Sequence, residues 1–140
     1  MSKIYKSHSY EDTIKIGEEL GKTLKGTEVI ALFGGLGMGK TALTTGIAKG
    51  LGAENCVSSP TFALVNEYHS RVNIYHFDMY RISTWDDLYS IGFFDYLNNG
   101  VLVIEWSENI ENALPENYIK IIIEKGNDEN ERILTVEECN

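Results

Sequence analysis

The sequence predicts an α/β fold with a mixed central sheet, flanking helices and antiparallel additions. Two short apolar runs, residues 28–33 and 101–104, have the composition of buried parallel strands. Residues 42–51, between these runs, have the spacing of an amphipathic helix that packs one face on such a sheet. Two pairs of strand-like segments, each joined by a short turn, are typical of antiparallel hairpins. A parallel centre with antiparallel strands beside it accounts for all of these features.

The N-terminal part of the chain is predicted to form a strand, a helix and a second strand. Residues 3–7 have the pattern of a short edge strand, and Ser9 is a suitable N-cap with Glu11 and Asp12 in the first helical turn. This helix should place five residues on one side: Tyr10, Ile14, Gly17, Leu20 and Leu24. Residues 28–33 then form a buried strand.

The remaining elements alternate along the chain. The helix over 42–51 carries four apolar residues on one face and ends at Gly52; these residues are Leu43, Ile47, Ala48 and Leu51. Segments 61–68 and 72–77 predict one hairpin, and segments 118–124 and 133–136 predict another. Short helices are expected over 84–90, 94–98 and 107–114, the last ending before Pro115. The acidic segment 129–138 is expected to be a solvated hairpin surface.

The loop at residues 34–41 reads Gly-Gly-Leu-Gly-Met-Gly-Lys-Thr and matches the phosphate-binding pattern G-x-x-x-x-G-K-[ST]. Glycines tolerate positive φ, so the backbone N–H groups of such a loop can converge on an anion at the start of a helix. Lys40 then reaches the β- and γ-phosphates, and the Thr41 hydroxyl ligates Mg²⁺. We therefore predict a P-loop NTPase whose nucleotide-binding residues include Gly35, Leu36, Gly37, Met38, Gly39, Lys40, Thr41 and Ala42.

Length, charge and cysteine content narrow the class of protein. The chain has 140 residues, enough for one domain with a hydrophobic core, and we expect a single domain over 1–140. Its net charge of −9 opposes direct binding to nucleic acid, which requires a basic face. We see neither a membrane-spanning run nor a signal peptide, and Cys56 and Cys139 form no disulfide framework. A cytoplasmic protein with reduced thiols is expected.

Two acidic residues occur where apolar strands end, and hydrolysis of a bound nucleotide would need such groups. Asp78 follows the run 74–77, and Glu105 follows the run 101–104. In a parallel sheet both would emerge at the carboxyl edge beside the phosphates. Either could bind the metal; because Glu105 follows the more apolar strand, we assign it to Mg²⁺ and assign Asp78 to the attacking water. An acid that merely caps a strand in solvent is the alternative for each.

Nearby polar and aromatic residues are weaker candidates. His76 lies within a strand pattern, and a structural role is expected for it. Trp106, next to Glu105, could belong to the core or wall the site, and the sequence leaves both possibilities open.

Four motifs, taken together, resemble one family. The loop at 34–41 is followed by Ser-Pro-Thr-Phe at 59–62, His-Phe-Asp-Met-Tyr-Arg at 76–81 and Glu-Trp at 105–106. Their order and spacing resemble the bacterial TsaE (YjeE) family over residues 9–115. The resemblance implies a small Mg²⁺-dependent ATPase of the tRNA threonylcarbamoyladenosine pathway, which modifies the adenosine next to the anticodon.

The resemblance also implies partners and residue roles. A TsaE-like protein acts with TsaB-type and TsaD-type proteins and meets tRNA only through that complex. By position, Lys40 would hold phosphates of ATP, Thr41 and Glu105 would serve Mg²⁺, and Asp78 would support hydrolysis. Residues 59–62 would form a switch-like loop near the γ-phosphate, and Tyr10 would border the adenine.

This copy of the loop departs from the family pattern at three positions. Gly35 replaces the usual Asp, Met38 the usual Ala, and Ala42 a common second Thr. The loss of a polar side chain at Gly35 would alter phosphate affinity or loop rigidity, while the lysine and threonine are retained.

Two other functions compete with a partner-coupled ATPase. A small-molecule kinase usually closes an arginine-rich lid over its acceptor, and this chain has only three arginines, Arg71, Arg81 and Arg132. A non-hydrolysing nucleotide sensor would have no need of a water-orienting acid such as Asp78. A GTPase is disfavoured, because no Asn-Lys-x-Asp segment is present.

Overall fold

In the computed structural model, residues 2–34, 39–53, 65–79, 82 and 84–139 are described, and within them seven strands form one mixed sheet. The elements of the first half of the chain are β1 (Ser2–Ser7), α1 (Tyr10–Thr23), β2 (Val29–Phe33), α2 (Lys40–Gly50), β3 (Val65–His69) and β4 (Asn73–Asp78). Those of the second half are α3 (Trp85–Ser90), α4 (Phe93–Tyr96), β5 (Val101–Glu105), a 3₁₀ helix (Ser107–Ala113), β6 (Tyr118–Lys125) and β7 (Arg132–Cys139).

The sheet has a parallel centre and antiparallel edges, in the order β1-β7-β6-β2-β5-β4-β3. Strands β6, β2, β5 and β4 are parallel neighbours, whereas β1, β7 and β3 each pair antiparallel with the strand beside them. The prediction of a mixed sheet with antiparallel additions is confirmed. Both predicted hairpins are present in the described residues, as β3–β4 and β6–β7.

Strands β2 and β5 form the middle of the core because every residue in them is buried. One face of the sheet packs against α2, whose Leu43 and Ile47 are completely buried there. The other face packs against α3, α4 and the 3₁₀ helix, with Phe77 and Phe93 in edge-to-face contact. The helical face predicted for residues 42–51 is therefore confirmed, since all four of its apolar residues are buried.

Helix α1 reaches the core by lying directly on α2 through glycines. A Cβ atom added at Gly17 would lie 2.5 Å from the Leu43 carbonyl oxygen, and one added at Gly21 would meet the Ile47 carbonyl oxygen. Gly46 and Gly50 of α2 make the reciprocal approach to the α1 backbone. The backbones of the two helices thus touch without side chains between them, which fixes α2 closely relative to α1.

The predicted orientation of α1 is only partly correct. Ser9 caps the helix as expected, because its hydroxyl accepts a hydrogen bond from the Asp12 N–H at 3.1 Å. Gly17 is buried, Leu24 lies in the core and Leu20 packs against the core, as expected. The expectation that Tyr10 shares this side was wrong, because Tyr10 is 59% exposed, and the direct contact with α2 is made by Gly17 and Gly21.

The expectation of a solvated acidic segment over 129–138 was wrong at Glu131. This residue is 8% exposed, and its carboxylate accepts a hydrogen bond from the Asn127 N–H at 2.6 Å. Its carbonyl oxygen accepts a second bond, from the Gly126 N–H at 2.9 Å. Glu131 therefore closes the β6–β7 turn from inside. No helix in the described part of the chain is long and apolar enough to cross a membrane.

Candidate functional site

Lys40 begins α2 and carries its ammonium group to the carboxyl edge of the central strands. Gly39 precedes it with φ +98°, a conformation that side-chain-bearing residues rarely adopt. Lys40 is only 5% exposed, and its Nζ donates a hydrogen bond to the Gly34 carbonyl oxygen at 2.7 Å. The same Nζ lies 3.8 Å from the centre of the Trp106 ring. The ammonium group therefore contacts both Gly34, which follows β2, and Trp106, which follows β5.

The start of α2 supplies two further predicted residues. Thr41 is half-buried in the first turn, and Ala42 is buried behind it. The residue before the helix is Gly39, which makes no side-chain cap hydrogen bond. The N-terminus of a helix attracts anions through its N–H groups and its dipole. The other predicted loop residues, Gly35, Leu36, Gly37 and Met38, lie outside the described residues.

The two predicted acids are direct neighbours at the ends of adjacent strands. Asp78 of β4 is opposite Glu105 of β5 in the parallel register. A hydrogen bond of 3.0 Å from the Met79 N–H to the Glu105 carbonyl oxygen fixes the backbones of the two strands just beyond this pair. Asp78 is partly exposed and Glu105 is 8% exposed. The expectation that these acids meet at one edge of the sheet is confirmed.

Both carboxylates lie on the sheet face that carries α2. Side chains alternate along a strand, so Asp78 shares a face with Ile74, and Glu105 shares one with Val101 and Val103. These three apolar residues belong to the cluster that also contains Leu43 of α2. The site therefore combines a buried ammonium group, a threonine at a helix start and two strand-end carboxylates on one side of the sheet.

His76 is the residue whose importance the sequence did not reveal. It is completely buried on β4, and its Nε2 is hydrogen-bonded to Oε2 of Glu105. Its register partner on β5 is Val103, so Glu105 lies diagonally across the strand pair. The spacing places residues 76 and 78 on the same face of the strand, but which residue of β5 lies close to His76 depends on the register of the two strands.

Trp106 forms part of the site. Its backbone has φ +60°, which is unusual for a bulky residue, and its side chain is partly buried beneath the Lys40 ammonium group. An ammonium group over an indole face is attracted by the negative ring face. Trp106 also packs against the hydrophobic cluster that contains Phe77 and Phe93. The structure therefore supports both possibilities that the sequence left open, since the ring contacts the core and also lies beside Lys40.

Tyr10 is near this region but in no described contact with it. A Cβ atom added at Gly39 would lie 4.0 Å from Cγ2 of Thr13, which is one turn along α1 from Tyr10. The first turn of α1 therefore borders the residue before α2. The remaining motif residues, 59–62, Tyr80 and Arg81, lie outside the described residues.

A cavity of about 630 Å³ lies at the opposite end of the parallel strands. It is bordered by the starts of β2 and β6 and by the end of β7, including Val29, Tyr118 and Cys139. None of the predicted site residues lines it. Because ligands of open α/β sheets bind at the carboxyl ends of the strands, the Lys40 edge remains the candidate site.

Comparison with known proteins identifies the family. The model of the family described as "Threonylcarbamoyl adenosine biosynthesis protein TsaE" matches residues 7–134. The chain belongs to the TsaE family. Its 39% identity to the tRNA threonylcarbamoyladenosine biosynthesis protein TsaE of Treponema pallidum covers 88% of this chain and 94% of that protein. The TsaE protein of Aquifex aeolicus is 45% identical over 71% of this chain and 73% of its own length.

A solved structure extends the TsaE likeness to the fold. The crystal structure of Bacillus subtilis YdiB superposes with a TM-score of 0.79 at 30% identity, covering 100% of this chain and 87% of that one. The resemblance inferred from the four sequence motifs is thereby confirmed.

Proposed function

We propose that this TsaE-family protein is a P-loop ATPase that binds and hydrolyses ATP with Mg²⁺ and supports threonylcarbamoyladenosine modification of tRNA. In this proposal it acts in the cytoplasm with TsaB-type and TsaD-type proteins and meets tRNA only through them. Family membership supports the pathway. The residues at the carboxyl edge of the sheet support the chemistry.

The observation that carries the proposal is the buried ammonium group of Lys40 at the start of α2. Its Nζ lies beside the Gly34 carbonyl oxygen and over the Trp106 ring, at the helix start where a P-loop lysine meets the phosphates of a nucleotide. Negatively charged phosphate oxygens of a nucleotide would interact favourably with the Lys40 ammonium group and with the N–H groups of the first helical turn. The position of Lys40 and the start of α2 therefore both support nucleotide binding.

The proposed Mg²⁺ ligands are Thr41 and Glu105. Mg²⁺ prefers oxygen donors, keeps several waters and usually takes only one or two protein carboxylates in addition to substrate phosphates. A hydroxyl in the first helical turn and one carboxylate at the end of β5 fit that requirement. The bound ion would neutralise charge that develops on the transferred phosphoryl group.

Asp78 is the proposed group for the attacking water. It lies beside Glu105 in the register but is more exposed, so water can reach it. A carboxylate in this position can accept a hydrogen bond from a water molecule and orient it toward a phosphate. In this proposal the buried Glu105 binds the metal and the more accessible Asp78 orients the attacking water.

The net charge of −9 is compatible with action through partner proteins. A protein that itself held tRNA would gain affinity from a basic face that neutralises phosphates. An accessory ATPase needs to bind only the nucleotide and the modifying proteins. We therefore propose that hydrolysis is slow in the isolated protein and is coupled to the TsaB–TsaD pair.

Calorimetry and phosphate release test the proposal. Lys40→Ala should weaken ATP binding at least tenfold, because it removes the cation that is to meet the phosphates. Lys49→Ala is the matched control, since Lys49 is an exposed lysine on the same helix. Unchanged ATP affinity in Lys40→Ala would refute the assignment of the loop.

The partner proposal is tested by phosphate release from ATP and Mg²⁺ with and without the TsaB–TsaD pair. We expect the pair to bind this protein more tightly with ATP and to change its rate of release. Absence of a complex, together with phosphorylation of a metabolite, would favour a kinase.

A further inference from the structure

The pair formed by His76 and Glu105 has one feature that the proposed function does not use. His76 is completely buried, its Nε2 bonds to Glu105, and its Nδ1 has no hydrogen-bond partner among the described residues. The hydrogen bond to Glu105 is thus the described polar contact of this buried ring.

The hydrogen bond joins a ring on β4 to a carboxylate on β5, diagonally across the strand pair. Glu105 is itself only 8% exposed, so solvent has little access to replace the ring as a partner of Oε2. Loss of the imidazole would therefore leave a buried carboxylate oxygen without this partner.

The ring is held on a rigid element. Strand β4 lies between β3 and β5, and its residues 74–77 are all buried. Tyr75 and Phe77 pack on the opposite face, in contact with Tyr96. The imidazole thus has little freedom to rotate away from the carboxylate. Because the two groups are hydrogen-bonded, rotation of the carboxylate is restricted as well.

We propose that His76 is a positioning residue that fixes the orientation of Glu105 for Mg²⁺. This inference rests on the proposed role of Glu105. The hydrogen bond to Oε2 restricts rotation of the Glu105 carboxylate. The conformational entropy of this side chain is therefore lost when the protein folds and does not have to be lost when the metal binds. Hydrogen bonds to metal-binding carboxylates are a general means of raising metal affinity.

The test compares two variants by metal affinity. His76→Leu removes the hydrogen-bonding ring, whereas His76→Gln keeps an N–H donor on a side chain of similar reach. With a non-hydrolysable ATP analogue, Mn²⁺ binding measured by electron paramagnetic resonance should weaken about 10–100-fold in His76→Leu and recover largely in His76→Gln. Metal-free affinity for the analogue should stay within twofold of wild type. Tyr75→Phe, on the same strand but the other face, is the matched control and should bind Mn²⁺ normally.

A measurement on the wild-type, metal-free protein keeps the inference testable even if a variant fails to fold. The ¹⁵N spectrum of the His76 ring should show Nε2 in a hydrogen bond, and an Nε2 that is not hydrogen-bonded would overturn the inference. Wild-type Mn²⁺ affinity in His76→Leu, or equal losses in the Leu and Gln variants, would overturn it while leaving the proposed function intact. If the wild-type protein bound neither the analogue nor Mn²⁺, the proposed function would fail and the inference with it.

Discussion

Replacing Gly17 by alanine tests whether the close contact of α1 and α2 sets the position of the site. The added Cβ would lie 2.5 Å from the Leu43 carbonyl oxygen, 2.9 Å from the Ile47 nitrogen and 3.0 Å from the Gly46 Cα. All three are backbone atoms, so no side-chain rotation can relieve the overlap. Restoring an ordinary contact of 3.4 Å requires the helices to separate locally by 0.9 Å (3.4 − 2.5).

The expected cost follows from two opposing effects. Forcing a methyl group into a packed contact destabilises proteins by about 1–3 kcal/mol, and a backbone overlap belongs at the upper end. Alanine recovers about 1 kcal/mol through its better helix propensity. We expect a net loss of about 2 kcal/mol, which corresponds to a fall in Tm of about 6–8 °C for a chain of this size.

Thermal unfolding followed by circular dichroism measures the change, with Glu19→Ala as the control because Glu19 is exposed on the same helix. Since Lys40 and Thr41 begin α2, displacement of this helix should also weaken ATP binding in Gly17→Ala but not in Glu19→Ala. A Gly17→Ala protein as stable as wild type would show that the backbones of α1 and α2 are not in close contact at Gly17 and that this contact does not position α2.

Two further predictions concern single carboxylates. Asp78→Ala should keep ATP and Mg²⁺ binding by calorimetry but lose at least tenfold in phosphate release, because only the water-orienting group is removed; normal release would exclude Asp78 from the mechanism. Partial burial raises the pKa of Glu28, but hydrogen bonds from the backbone N–H groups of residues 25–28 outweigh that effect and hold the pKa below its ordinary value of 4.5. The stability from Glu28 is therefore present above about pH 4.5 and lost as the pH falls through the lower folded-state pKa. Acid titration of unfolding should show this loss in wild type and a smaller one in Glu28→Gln; identical acid profiles would disprove it.

The centre of the fold could be predicted from the sequence because its signals are local. Strands β2 and β5 are uninterrupted apolar runs, and α2 has its apolar residues on one face between a glycine loop and a glycine stop. Burial of such segments is decided by their own composition. The adjacency of Asp78 and Glu105 followed from the general rule that parallel strands end at one edge.

Other features depended on partners distant in sequence. The close contact of α1 with α2 could not be identified from hydrophobicity, because Gly17 and Gly21 make it, and glycine is informative only when the opposing backbone is known. Similarly, the role of His76 depends on the register of β4 against β5, which places Glu105 diagonally opposite. The burial of Glu131 results from a turn that its own side chain completes.

The order of strands in the sheet has a consequence for synthesis on the ribosome. Strand β2 emerges early, but its two neighbours, β5 and β6, are both made later, and β1 pairs with β7 from Ser2↔Glu137 to Ser7↔Arg132. Strand β1 can therefore pair only after β7 has been translated. Until then β1 and β2 present unpaired edges that can associate with other nascent chains. Helices α1 and α2 are separated by a much shorter stretch of chain than β1 and β7, so they can assemble while the ribosome is still translating.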